Sequence, residues 1–409
     1  MKKIVLIIFI LLLFPLHVYA VELGNTYSNA VLIYDITDDK ILQEKNSEEK
    51  KYVASLTKIA TVITAIDYIE SHEEVSFDDT VTVTQKMLSG IQWDASMAGL
   101  KSGDIVTYED LLYATVLPSG ADASQVIAYG LKGDIPSFVE EMNKLSTKLN
   151  LQQTHFVNTH GLDIDNHYST AKDILEILKY AFKNEKFKTV FNTKKYTLTN
   201  GLETEATVLL YQQRYNFQVD RILGSKTGFT DNAGRCLSTY FISNGHEFLY
   251  VGLGAQSTLS EAYHIRDGIS VIEFMDNNYK EQILSPKNAP IEKIKIHYSK
   301  TKEITINTTL EVTKYLPNDY DKNLFKVEYD GPKELYANSI PSNSIGKINY
   351  YYEDKLLISE DVYVKEEISF DIMEYIKENK DDIIKYGTIG LISLIVLLII
   401  KKILFRKKK

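Results

Sequence analysis

The chain changes texture at "SPKNAP", residues 285–290, and that change constrains the fold more than any other feature. Before it, helical and strand-like periods alternate. After it come only short alternating segments: "IEKIKIHYS", "KEITINTTLEVTKYL", "LFKVEYD" and "GKINYYYEDKLLISEDVYV". Successive side chains on a strand point to opposite faces, so such runs wet one face and bury the other. A proline-containing break between two textures marks a domain boundary. The expectation is therefore an α+β domain over residues 25–282, followed by a small all-β sandwich over residues 287–365.

Inside the first domain, "NAVLIYDITDDKILQEKN" reads as strand, Asp-Asp turn, strand. A helix is expected over residues 55–71, another in "GDIPSFVEEMNKLSTKLNL", and a third in "STAKDILEILKYAFKN" with Ser169 or Thr170 as its cap. "CLSTYFISNGHEFLYVGLGA" reads as a hairpin around Asn244-Gly245.

The two ends bear on location. Residues 1–20 run Lys2-Lys3, an apolar stretch, then Val18-Tyr19-Ala20, the pattern of a secretory signal peptide. Residues 386–400 carry no charge, residues 386–405 are long enough to span a bilayer, and the basic Arg406–Lys409 places that end in the cytoplasm. The charged stretch 366–385 would connect body to anchor. The expected arrangement is an exported body tethered to the membrane by its tail. A single cysteine, Cys236, allows no internal disulfide, and the net charge of −9 argues against a nucleic-acid binder.

Three short stretches carry possible chemistry. In "YVASLTKIATVITA", Ser55 and Lys58 lie about one helical turn apart, so a buried, neutral Lys58 could take the Ser55 proton. The plainer alternative is a helix entry with Ser55 as N-cap and Lys58 in water. In "LLYATVLPSGADASQVIAYG", Ser119 occupies a Pro-Ser-Gly turn and could relay a proton, or simply cap a helix. In "ILGSKTGFTDNAG", Lys226 and Thr227 suit a carboxylate and Gly228 permits close backbone approach, although the tripeptide also fits a surface turn. His155, His160 and His167 fall within one short segment and invite a metal reading, but no cysteine accompanies them.

The order Ser-x-x-Lys, Ser-Gly-x, Lys-Thr-Gly resembles that of the penicillin-recognising serine enzymes. The stretches "ASLTKIAT", "GLKSGDIVTYEDLLYATVLPSGADA", "THFVNTHGLDIDNHYSTAKDI" and "GSKTGFTDNAGRCL" are similar to the D-alanyl-D-alanine carboxypeptidases, the low-molecular-weight penicillin-binding proteins. The resemblance implies a β-lactamase/transpeptidase-like catalytic domain, with the β-domain and the C-terminal transmembrane helix as usual companions. It implies Ser55 as the acylated nucleophile, Lys58 as its base and Ser119 as the second-motif serine. Lys226 and Thr227 would hold the substrate carboxylate, and the backbone N–H groups of Ser55 and Phe229 would form the oxyanion hole. The histidine segment would be structural. The implied substrate is a peptidoglycan stem pentapeptide, with β-lactams as inhibitors and with neither cofactor nor metal. One position departs from the pattern: the second motif usually ends in asparagine, and here it is Ser119-Gly120-Ala121. Two alternatives follow. A β-lactam or peptidoglycan sensor would acylate without releasing D-alanine. A class A β-lactamase would need a glutamate-held water that the sequence does not place.

Overall fold

The computed structural model describes residues 23–258 and 260–406. The signal-peptide reading of residues 1–20 lies outside the described residues. The chain divides into two compact units, one of them Val21–Tyr279 and the other containing Lys280–Lys409.

The first unit is built on a five-stranded antiparallel sheet. Its strands are β1 (Ala30–Asp35), β2 (Lys40–Lys45), β3 (Gly224–Thr230), β4 (Gly234–Ser243) and β5 (His246–Ala255), in the spatial order β2-β1-β5-β4-β3. All six residues of β1 are buried, as a strand covered on both faces requires. Asn244 and Gly245, both left-handed at φ 49° and 87°, make the two-residue turn between β4 and β5. The strand β3, which carries Lys-Thr-Gly, lies at an edge of this sheet.

The helices of this unit are α1 (Thr57–Ser71), α2 (Tyr108–Val116), α3 (Ala121–Lys132), α4 (Ile135–Lys148), α5 (Ala171–Ala181), α6 (Glu185–Asn192), α7 (Thr207–Tyr215) and α8 (Tyr263–Asn278). Their starts are set by side-chain caps: Thr107 with Asp110 for α2, Asp134 for α4, and Thr170 for α5. Helix α1 packs against α2, α3, α4 and α5 and is buried from Thr57 through Ile66. A helix apolar nearly all round must be enclosed in this way. The consequence is chemical, because Lys58 is carried into the interior with it.

In the second unit, two three-stranded sheets face a shared core. One pairs Glu303–Asn307 with Pro290–His297 and Glu334–Tyr336; the other pairs Phe325–Asp330 with Gly346–Tyr352 and Lys355–Val362. Ile294, Ile296, Ile304 and Ile306 meet Ile348, Tyr350 and Val362 between them. Helices Ile372–Glu378 and Lys380–Arg406 follow, and Lys380–Lys401 is long and apolar enough to cross a membrane. The architecture is thus an α+β domain, an all-β domain and one apolar C-terminal helix.

Candidate active site

Ser55 sits in a single 3₁₀ turn, Ala54–Leu56, just before α1, and it caps nothing with its side chain. Ala54 is held left-handed at φ 45°, an unfavourable conformation for a residue with a Cβ. Lys58 follows one turn later. Its Nζ lies 2.9 Å from Ser55 Oγ and donates to the His160 carbonyl at 2.8 Å. Only 2 % of Lys58 is exposed, and burial pulls its pKa down to about 7 against the opposing charge of Asp122. The neutral amine keeps a lone pair directed by its neighbours. Here Nζ donates to both Ser55 Oγ and His160 O, and only the neutral amine has a lone pair that can accept a proton.

The histidine segment builds this arrangement from behind. Asn158 Oδ1 accepts from the backbone N–H groups of His160 and Gly161, fixing the carbonyl that Lys58 uses. Gly161 is left-handed at φ 87°, and a Cβ there would fall 1.8 Å from Ala54 O. His167 Nδ1 accepts from Val157 N–H, so its Nε2 carries the proton and donates to Thr57 Oγ1 at 2.8 Å. His155 bonds instead to the Asn166 carbonyl. The three rings are therefore spent on separate backbone and hydroxyl partners and do not converge on a metal.

Ser119 occupies the turn between α2 and α3 at φ 64°, a second strained non-glycine residue beside the first. Its Oγ accepts from Lys226 Nζ at 2.8 Å, and Lys226 also donates to the Thr227 carbonyl at 2.8 Å. The resemblance assigns Lys226 to the substrate carboxylate; in the fold its Nζ is held by Ser119 and the Thr227 carbonyl. Lys226 is fully buried and does not line the cleft, and burial together with the charge of Lys58 pushes its pKa well down. Both of its hydrogen bonds, to Ser119 Oγ and to the Thr227 carbonyl, are internal. The other named residues, Ser55, Lys58, Ser119, Thr227, Gly228 and Phe229, all line one cleft of about 340 Å³. Gly228 brings β3 against the nucleophile: a Cβ there would be 3.0 Å from Ser55 N. A larger cleft of about 500 Å³ in the second unit is lined by groups such as Thr305, Glu360 and Val364.

Sequence reasoning missed three groups. Thr207, on α7, bonds Thr227 Oγ1 through its own Oγ1 at 2.6 Å. The His160 carbonyl belongs to the backbone and has no sequence signature. Arg235 stands opposite Phe229 in the β3–β4 register, with its guanidinium 5.0 Å from the Phe229 ring centre and Nη1 donating to Tyr211 Oη at 2.7 Å. It lines the cleft, and among the described residues no carboxylate lies within ion-pair distance of it.

A serine hydroxyl hydrogen-bonded to a buried lysine, beside an edge strand in an α+β fold, is the arrangement of an acyl-transferring serine enzyme. A family profile described as "D-alanyl-D-alanine carboxypeptidase" matches residues 18–257, and one described as "Penicillin-binding protein 5, C-terminal domain" matches residues 279–369. The chain belongs to the D-alanyl-D-alanine carboxypeptidase family. It is 27% identical over 334 residues to D-alanyl-D-alanine carboxypeptidase DacD of Salmonella typhimurium, covering 81% of this chain and 83% of that one. Over 347 residues it is 25% identical to D-alanyl-D-alanine carboxypeptidase DacF of Bacillus subtilis, covering 85% and 87%. Its fold matches the crystal structure of penicillin binding protein 6B from Escherichia coli with a TM-score of 0.60, at 23% identity, over 85% of this chain and 98% of that chain.

Proposed function

We propose that the chain is a serine-type D-Ala-D-Ala carboxypeptidase acting on peptidoglycan stem pentapeptides, with Ser55 as nucleophile and Lys58 as general base. The observation that carries the assignment is the 2.9 Å separation of Ser55 Oγ from a lysine whose pKa burial has lowered to about 7. Neutral Lys58 takes the hydroxyl proton as Ser55 attacks the penultimate D-alanine carbonyl. The oxyanion faces the backbone N–H groups of Ser55 and Phe229, where β3 runs close to the 3₁₀ turn. Ser119 passes the proton to the departing D-alanine nitrogen, and Lys226 holds the Ser119 oxygen from beneath. Water then hydrolyses the ester. β-Lactams acylate the same serine.

Thr227 and Ser119 offer hydroxyls to the terminal carboxylate, and Arg235, which lines the same cleft, supplies a positive charge. The expected result for Arg235→Ala is a fall in kcat/KM of about 10- to 100-fold, carried mainly by KM, because a charge-assisted hydrogen bond is lost from substrate binding. Steady-state kinetics on a D-Ala-D-Ala peptide checks this. Ala121 faces the cleft with a methyl group where the family pattern has an amide. The base is nevertheless held by His160 O, so the departure removes no contact that Lys58 depends on.

Activity should follow the free base. Below about pH 7 Lys58 is mostly protonated and kcat/KM should fall tenfold per pH unit; above it the profile should level off. A flat profile between pH 5 and 8 would remove Lys58 as the base. No glutamate lines the cleft among the described residues, so the β-lactamase alternative lacks its water-holding group. The apolar C-terminal helix would anchor the body outside the membrane, with the basic tail inside and the β-domain as a spacer. Assay of D-alanine released from a D-Ala-D-Ala peptide tests the whole reading: release supports it, and a protein that is acylated by penicillin but releases no D-alanine is a sensor.

A further inference from the structure

Residues 84–100 leave the body and return to it at one point. Val83 N–H donates to Asp104 O and Gly103 N–H to Val83 O, both at 2.8 Å. A surface excursion with joined ends is an Ω-loop, a class that is frequently functional. One face of α3 pins it. The buried Asp122 carboxylate accepts from the backbone N–H groups of Ala98, Gly99 and Leu100 at 2.8, 2.9 and 3.0 Å. Ala121 N–H donates to Ser96 O at 2.8 Å. With its amide turned to satisfy both, Gln125 donates to the Met87 and Ser89 carbonyls at 2.9 and 3.3 Å. Lys86 covers the Tyr129 ring at 5.2 Å. The pins recur at helical spacing on the helix that begins two residues after Ser119.

What the pinned loop presents is unusual. Asp94, Ala95 and Ser96 line the catalytic cleft. Beside them stands Trp93, the only tryptophan of the chain, 96% exposed. Tryptophan is normally among the more deeply buried residues on average. Its neighbours Gln92 and Asp94 are also exposed, so an apolar ring is flanked by an amide and a carboxylate.

We infer that Trp93, with Gln92 and Asp94, forms a saccharide subsite at the mouth of the cleft. The indole face carries negative charge density and attracts the C–H face of a pyranose ring, while the Gln92 amide can donate and accept and the Asp94 carboxylate accepts from its hydroxyl and acetamido N–H groups. The occupant is the N-acetylated sugar that bears the stem peptide. This rests on the proposed substrate, in which the sugar carries the stem peptide three residues before the penultimate D-alanine. A lipid surface fits less well, because Asp94 adjoins the ring and the chain carries a net charge of −9.

The test uses the single indole as its own reporter. Ser55→Ala protein is titrated with an N-acetylglucosaminyl-N-acetylmuramyl pentapeptide, with the free pentapeptide and with the disaccharide alone, while tryptophan emission is followed. The inference expects a saturable change with both saccharide-bearing ligands and none with the free peptide. In turnover, Trp93→Ala is expected to lower kcat/KM about tenfold for the disaccharide pentapeptide and to leave the free pentapeptide unchanged. Emission indifferent to the saccharides, or an equal loss on both substrates, overturns it. If the parent protein releases no D-alanine from the free pentapeptide, the carboxypeptidase reading fails, and the emission titration still decides the subsite.

Discussion

Replacing Ser55 by alanine, or Lys58 by alanine, is expected to lower D-alanine release by about 10⁵-fold, and the double variant should be no worse than either single one. Residues that act as one unit fall together, since a nucleophile without its base and a base without its nucleophile leave the same residual binding and oxyanion stabilisation. The geometry requires this coupling. Lys58 has no other proton to take, because its remaining contact is the His160 carbonyl, an acceptor. The two variants should differ in stability. Ser55→Ala removes one part-exposed hydroxyl. Lys58→Ala empties a buried position and leaves His160 O with only the long contact from Ser55 Oγ at 3.5 Å, at a cost of roughly 2–4 kcal/mol. Kinetics beside thermal denaturation separates the two effects. Additive losses in the double variant would mean that the residues act independently.

Gly161→Ala is expected to disable the site from behind. The new Cβ would fall 1.8 Å from Ala54 O, and the backbone there is left-handed at φ 87°. Either Ala54–Ser55 or the His160–Gly161 peptide must move, and both hold the nucleophile–base pair. A displacement near 1 Å at reacting groups costs about 100-fold in rate. Gly133→Ala is the matched control. Gly133 is also left-handed, at φ 81°, but nothing lies within 4 Å of its Cβ position. It should cost about 1 kcal/mol of stability and leave kcat intact. Equal kinetic effects from the two variants would contradict the account.

Much of this was legible in the chain. The hairpin at Asn244-Gly245 and the Thr170 cap follow from local chemistry, where a few neighbouring residues decide the geometry. The all-β texture after residue 290 likewise corresponds to a core of Ile294, Ile296, Ile304 and Ile306 that the alternation exposes. The illegible parts are non-local. Placing β1 beside β5 joins residues more than 200 positions apart, such as Leu32 and Val251, and no local signal announces it. The parallel pairing of Pro290–His297 with Glu334–Tyr336 is hidden for the same reason.

The site divides along the same line. Serine and lysine identities are visible in Ser-x-x-Lys and Lys-Thr-Gly, but where a lysine nitrogen ends up is not. Lys-Thr-Gly names Lys226, but that its nitrogen is bonded to Ser119 Oγ follows only from the fold. Arg235 was present in a quoted stretch, and only its position opposite Phe229 gives it significance. The three histidines share one short stretch, which invites a metal reading that the resemblance sets aside, because spacing along the chain says nothing of direction. In the fold each ring is committed to a different neighbour, His167 to Thr57 among them.

The measurement that tests the central claim most directly is peptide mapping of the protein after brief exposure to benzylpenicillin. The account predicts one penicilloyl group per chain, borne by the peptide containing Ser55, and no adduct on the Ser55→Ala variant. An adduct on Ser119 or another residue, or an adduct that persists in Ser55→Ala, would contradict it.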